Sequence, residues 1–242
     1  MSLDLERITA PNPGVLTLEG TNTYIVSRPD GGGAIVIDPG PADEGHIARV
    51  RAAAEARGGV GAVLLTHHHG DHSDGVALLG VEPSALGDGE SEGPLTAIAT
   101  PGHAVDHLCF VAGGEAFVGD LIAGVGSSIV PPREYGGSLH DYMDSLRQLE
   151  SLDLELMHPG HGPDITDPPA KIGEYLGHRQ EREDKLLAAL EAGERDREKL
   201  LDAAWEDVAP ELRPMAEVAM RAHLEKLEDE DRLPADMTEG SD

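Results

Sequence analysis

Four short apolar runs in this chain each end on side chains of the metal-binding type, and any fold it adopts must place those four ends. Ala62–Thr66 leads into His67-His68-His69-Gly70-Asp71-His72, Leu95–Thr100 into Pro101-Gly102-His103, Glu115–Gly119 into Asp120, and Leu154–Met157 into His158-Pro159-Gly160-His161. Each run has the length and composition of a β-strand and gives way to Gly or Pro, where strands stop and loops begin. Strands lying side by side would let the four loops converge on one sheet edge.

Two hairpin-like units recur. Thr21–Val26 and Ala34–Asp38 flank Gly31–Gly33, and Leu108–Ala112 and Ala116–Asp120 flank Gly113-Gly114, so both units end in an aspartate. Helical periodicity covers Ala42–Arg57, roughly His72–Leu79, and Leu139–Ser151, which predicts alternating strands and helices in an α/β layer arrangement. From Pro168 onward strand signals vanish, and charged helical segments follow at Ala170–Glu191, Arg195–Glu206 and Pro214–Asp229. The reading is therefore a site-bearing domain over 1–168 and a small helical module over 169–242, with Asp229–Asp242 expected to be frayed.

Eighteen Lys and Arg face 46 Asp and Glu, a formal charge of -28, and the acid is spread along the whole chain. Only Lys171, Lys185, Lys199 and Lys226 are lysines. Such self-repulsion weakens a compact state at low salt and fades when the Debye length falls to about 3 Å in molar salt, which predicts a salt-adapted (halophilic) protein. Cys109 is the single cysteine, so metal must be held by His and Asp. No run of eighteen apolar residues and no basic-then-apolar start is present, and the expectation is a soluble cytoplasmic protein without membrane contact.

His67, His69, Asp71 and His72 give four donors within six residues. Imidazole nitrogen and carboxylate oxygen suit zinc and neighbouring divalent ions. The plainer alternative is solvated loop histidines, with Asp71 or Ser73 capping a helix. Joined to His103 in Thr-Pro-Gly-His, Asp120 in Val-Gly-Asp and His161 in Pro-Gly-His-Gly, the cluster resembles the metallo-β-lactamase fold superfamily.

That resemblance implies an αββα sandwich with its site at the edge of two sheets. It implies one metal on His67, His69 and His103, a second on Asp71, His72 and His161, and Asp120 bridging the pair. Asp38, in Ile-Asp-Pro-Gly, would lie beneath the site and orient a ligand imidazole. The cofactor reading is two divalent ions, zinc first, with iron or manganese accepted by the same donors. Two such ions bring the pKa of bound water from about 15.7 to near 7, so a bridging hydroxide can attack an ester, thioester or phosphodiester, with Asp71 or Asp120 as proton acceptor. His68, between two ligands, is expected to point away. His107 and His158 are read as braces, and His46, His140 and His223 as packing or surface residues.

His69 stands where flavin-linked di-iron oxygen reductases of the superfamily carry glutamate, and the forty residues between Asp120 and His161 leave no room for the inserted domain of RNA-processing nucleases. An antibiotic-degrading lactamase is disfavoured by the missing export signal. The chain is more similar to lactamase-β-like hydrolases with a C-terminal winged helix, through Leu139-x-x-Tyr142-Met143-x-Ser145-Leu146, His158-Pro-Gly-His161-Gly-Pro163 and Gly177-His178-Arg179-x-x-Arg182-Glu183. Some of those relatives are single-strand-selective endoribonucleases, and others resemble the thioester-cleaving glyoxalase II enzymes. The stretch 73–102 is shorter than in these relatives, with Glu82–Gly93 an acidic connector in place of strand and loop.

Lys171–Asp242 holds eleven Lys and Arg against twenty-one Asp and Glu, net -10, which predicts no strong DNA binding. The substrate is expected to be a small molecule or a short RNA, with homo-oligomerisation open. His178, Arg179 and Arg182 are candidates to contact an anionic substrate, or else ordinary surface ion pairs. A nucleic-acid-binding regulator with a structural metal is the reading outside enzymes.

Overall fold

A computed structural model describes residues 3–237. Two sheets face each other. The first runs β1 (Leu5–Thr9), β2 (Asn22–Ser27), β3 (Ala34–Ile37), β4 (Val60–Leu64), and the second runs β5 (Ser91–Glu92), β6 (Leu95–Ala99), β7 (Leu108–Ala112), β8 (Glu115–Gly119), β9 (Leu156–Pro159). In each sheet an antiparallel hairpin (β2–β3, β7–β8) is followed by a helix and a parallel strand. The helices are α1 (Glu44–Glu55) in the first half and α4 (Leu139–Glu150) in the second. The weak repeat in the sequence is thus a real structural repeat.

Strand alternation explains the four layers. On β2 to β4, Tyr24, Val26, Ile35, Ile37, Ala62 and Leu64 point between the sheets and meet Leu95, Ala97, Phe110 and Phe117. Their neighbours Ile25, Val36 and Val63 point outward onto Ile47, Val50 and Ala54 of α1. In the second sheet Cys109, Ala116 and Val118 turn outward onto Tyr142, Leu146 and Leu149 of α4. Both faces are covered, so these strands read as near-continuous apolar runs. Asp43 and Ser138 cap α1 and α4, accepting from His46 N and Asp141 N.

The C-terminal region is helical: α5 (Pro168–Glu191), α6 (Arg197–Ala204) and α7 (Arg213–Asp229), with no strand after Pro159 among the described residues. Helix α5 serves both parts, as Ile172 and Tyr175 join the α4 core while Leu186 and Leu190 join a cluster with Leu200, Trp205, Met220 and Leu227. Together these features form an αββα sandwich with a helical C-terminal region.

Three local expectations differ. The continuous helical pattern at His72–Leu79 is two single turns, α2 (Gly70–Ser73) and α3 (Val76–Leu79). Gly75 N donates to the Gly40 carbonyl at 2.8 Å between them. A Cβ at Gly75 would stand 2.9 Å from the Pro39 carbonyl, so backbone packs directly on backbone there and the helix breaks. The connector Glu82–Gly93 does carry a strand, β5, paired with β6. The tail expected to fray from Asp229 is packed as far as residue 237: Leu233 and Met237 lie on the helical cluster, and Arg232 pairs with Glu183 at 2.6 Å. Residues 238–242 of that expectation lie outside the described residues.

Candidate metal centre

Every predicted metal-binding residue follows a strand, in the loop or, for Asp71 and His72, the helical turn after it, and the two parallel strands β4 and β9 deliver most of them. β4 leads to His67 and, through the turn of α2, to Asp71 and His72; β6 leads to His103; β8 leads to Asp120; β9 leads to His161. A register shift between Phe117 and Gly119 in the β8–β9 pairing immediately precedes Asp120, a device that re-aims a side chain at a sheet rim. At Gly102, φ is 137° and a Cβ would stand 2.3 Å from the Tyr142 Cα, so only glycine lets the loop carrying His103 lie against α4.

The donors converge in two groups. His67 Nε2 and His103 Nε2 lie 2.9 and 3.1 Å from His69 Nδ1. His161 Nε2 lies 3.3 Å from Asp71 Oδ2 and 3.2 Å from Asp120 Oδ1, and His72 Nε2 lies 3.5 and 3.3 Å from the same two atoms. Asp120 stands between the groups, its Oδ2 3.6 Å from His103 Nε2. Three triads, His67–His69–His103, His67–His72–Asp120 and Asp71–His72–His161, each hold their donor atoms within 4.8 Å of one another.

These contacts fit a cation and not a hydrogen-bond network. The Thr66 hydroxyl donates to Asp38 Oδ2 at 2.7 Å, so at 3.0 Å it accepts from His67 Nδ1. His72 Nδ1 donates to Asp38 at 2.8 Å, and His103 Nδ1 donates to the Ile129 carbonyl at 2.8 Å. With those protons committed outward, the Nε2 lone pairs of His67 and His103 face inward, and His72 Nε2 faces the Asp71 and Asp120 carboxylates. His72 Nε2 and Asp120 Oδ1 are buried and, beyond these ion-pair approaches, make no hydrogen bond among the described residues. Polar atoms in that position require a ligand. The His/Asp cluster is therefore able to bind metal ions.

Electrostatics divide the two groups. Burial holds the pKa of His67 and His69 below the usual histidine range, so their nitrogens offer lone pairs without first losing a proton. Burial also opposes charge on His72 and His161, but the carboxylates outweigh it: Asp120 and Asp38 raise His72, and Asp120 and Asp71 raise His161 to about 9. Burial alone would raise both aspartates; His72 and His161 outweigh it and hold Asp120 well below the usual range, and Asp71 is lowered by the same two rings.

The comparisons with known proteins agree with this geometry. The Metallo-beta-lactamase superfamily domain matches residues 16–81 and 80–161, more than half of the chain. The chain belongs to the metallo-beta-lactamase superfamily. A Beta-lactamase associated winged helix domain matches residues 198–239. Among curated relatives, the lactamase-like protein adaB of Aspergillus niger is 39% identical over 208 residues, covering 76% of this chain and 63% of that protein. The chain spans under two thirds of the length of such relatives. A metallo-beta-lactamase family protein from Thermus thermophilus superposes with a TM-score of 0.76 at 24% identity, covering 94% of both chains. A di-iron-bound form of TTHA1623 superposes with a TM-score of 0.54 at 27% identity, over 66% of this chain and 94% of that one.

In this metallo-beta-lactamase fold the other histidines fall where the sequence suggested. His68 is turned out and pairs with Asp106 at 2.7 Å. His107 bonds the Thr100 hydroxyl at 2.9 Å, and His158 bonds Glu115 at 3.0 Å while stacking on Phe117. His46 and His223 are buried, and His140 is half exposed.

The centre opens on a cleft of about 360 Å³. His103, Asp120 and His161 form its floor, and His178, Arg179 and Arg182 also line it. Sequence reasoning missed its apolar walls: Leu16 and Leu18 from the 10–20 loop, Val125, and Trp205, Val208 and Ala219 from the helical region. A signal was available in Val15, Leu16 and Leu18, apolar residues in a Gly- and Pro-containing loop, of which Val15 and Leu16 remain 67% and 54% exposed. Among the described residues, no helix is long and apolar enough to cross a membrane.

Proposed function

We propose that this superfamily member is a binuclear metal-dependent hydrolase of a small ester, thioester or phosphodiester, with zinc as the first candidate metal. The observation carrying the proposal is the convergence of seven donors on an open cleft, two of them with a buried atom that makes no hydrogen bond among the described residues. His67, His69 and His103 would hold one ion, Asp71, His72 and His161 the other, and Asp120 both. When bound, such a pair supplies Lewis acidity and a water acidified to near neutral pH. The di-iron form of TTHA1623 supports a two-ion reading and equally keeps iron open.

The chain's own residues do the rest. Asp38 and Thr66 fix the His72 and His67 rings, so the donors are preorganised before any ion arrives. Asp71 and Asp120 are both ionised at neutral pH. Asp71 is the more accessible, its side chain 31% exposed against 17% for Asp120, and is the better placed to receive a proton from the attacking water. The apolar walls exclude solvent from the body of a small substrate.

A single-strand-selective endoribonuclease is the second reading, supported by the match to a winged-helix domain. The apolar cleft and the acidic balance of the helical region weigh against it and against a nucleic-acid-binding regulator. Metal analysis of protein purified without chelator tests the centre, with bound divalent ions expected. A panel of thioesters, phosphodiesters and RNA in molar KCl, with Asp71→Ala as control, tests the chemistry. RNA cleavage lost in that variant, without thioester turnover, would replace the first reading by the second.

A further inference from the structure

Resting on the hydrolase reading, we infer that Arg179, with His178 beside it, forms a subsite for an anionic oxyacid group, carboxylate or phosphate, carried by an apolar substrate.

Three Lys and Arg side chains of the described residues are buried: Arg179, Arg182 and Lys226, at 4%, 5% and 8% exposure. Two have carboxylate partners. Arg182 grips Asp207 through two bonds of 2.5 and 2.9 Å, and Lys226 meets Glu183 at 2.7 Å. Arg179 differs. Its hydrogen bonds go to the Ser127 hydroxyl at 3.2 Å and to the Ser128 carbonyl, and its guanidinium lies over the Tyr142 ring at 5.5 Å. These partners are all neutral, and among the described residues no Asp or Glu forms an ion pair with it, in a chain holding 46 of them.

A buried guanidinium without a counter-charge is costly and calls for a compensating partner. Two donors around it are also unspent. Arg179 Nε is buried with no acceptor. His178 Nε2 accepts from Arg182 Nε at 3.3 Å, which leaves the ring proton on Nδ1, and Nδ1 too is buried without a partner. Both residues line the cleft whose floor is His103, Asp120 and His161.

The planar guanidinium matches the two oxygens of a carboxylate or phosphate. The charge of -28 makes the outer field repel anions, and a fixed cation at Arg179 offsets that field at this end of the cleft. Salt screens the outer field far more than a buried pair, so the subsite keeps its selectivity in molar KCl.

The test uses the full-length protein freed of metal, calorimetry in molar KCl, and three probes with one apolar body: 4-phenylbutyrate, its neutral amide, and 3-phenylpropyl phosphate. Wild type is expected to bind at least one anion about tenfold or more tighter than the amide, the scale of one charge-assisted hydrogen-bonded pair, and the preferred anion identifies the source. Arg179→Gln should erase that preference and leave amide binding unchanged. If that variant does not fold, Arg179→Lys, which keeps charge without the fork, should reduce the preference. Equal binding of anions and amide by wild type, or an unchanged preference in either variant, overturns the subsite. Hydrolysis is scored separately: a loaded protein that cleaves no ester, thioester or phosphodiester, beside an Arg179-dependent preference, sinks the hydrolase reading alone.

Discussion

Asp38 Oδ2 accepts a hydrogen bond from His72 Nδ1 at 2.8 Å and, at 2.7 Å, one from the Thr66 hydroxyl that in turn supports His67. One carboxylate, 2% exposed, therefore orients one ring of each donor group. Asp38 holds a positive φ of 50°, a conformation Asp tolerates better than most residues. Asp38 Oδ1 accepts from Thr66 N at 2.7 Å, and an amide cannot accept at both positions, so Asp38→Asn should weaken metal retention by about 10- to 100-fold while the fold survives. Competition against a chelator with a known metal affinity measures it. Unchanged retention would remove Asp38 from the centre.

Gly160 supports the centre by being small. A Cβ there would stand 2.7 Å from both Asp120 Oδ1 and His72 Cε1. Gly160→Ala is expected to displace those donors and cost metal affinity with little change in circular dichroism. Wild-type metal content in the variant would show that the cluster tolerates the displacement.

Metal loading should release protons. Burial disfavours charge on His161, yet the carboxylates of Asp120 and Asp71 beside it raise its pKa to about 9 in the metal-free protein, so the ring is protonated at pH 7. A cation must displace that proton, and apparent affinity should rise by about tenfold per pH unit for each proton displaced, up to about pH 9. The same raised pKa stabilises the metal-free fold fully below about 6.5, and that contribution is lost as pH rises through about 9. Chelator titrations and metal-free melts between pH 6 and 9 check both slopes.

The helical region hangs on a buried ion cluster. Glu183, 3% exposed, takes Lys226 at 2.7 Å and Arg232 at 2.6 Å. Glu183→Ala leaves Lys226 buried beside one remaining carboxylate, Glu230, and should destabilise the protein by about 3 kcal/mol, the low end for breaking a buried pair. Denaturant unfolding reads this directly, and a loss under about 1 kcal/mol, the range of exposed pairs, would mean that the cluster is effectively solvated.

The charge of -28 predicts that thermal stability rises from low to molar KCl. A flat melting temperature across that range removes the salt-adaptation reading.

The sequence by itself determined most of the strands, the donors at their ends and the family, but not β1 or β5. Its signals are local: a run such as Ala34–Ile37, buried on both faces, must be uniformly apolar, and a ligand loop must follow directly on its strand. The donors at the strand ends were legible for that reason, whereas the role of Asp38 came only from the resemblance to the superfamily.

Tertiary structure decided what depends on contacts across the chain. The break at Gly75 comes from the loop at Pro39–Gly40, which local periodicity does not record. The packed tail up to residue 237 comes from Glu183, 49 residues before Arg232, and from an apolar cluster that spans Leu186 to Leu227. The cleft combines residues from the 10–20 loop, the 123–129 loop and three C-terminal helical segments, so no single stretch carries its pattern. Arg179 and Arg182 look alike in sequence, three residues apart on one helix. Only their surroundings separate them: Asp207 neutralises one, and the other has neutral partners, because the charge a buried group needs is set by what folds against it.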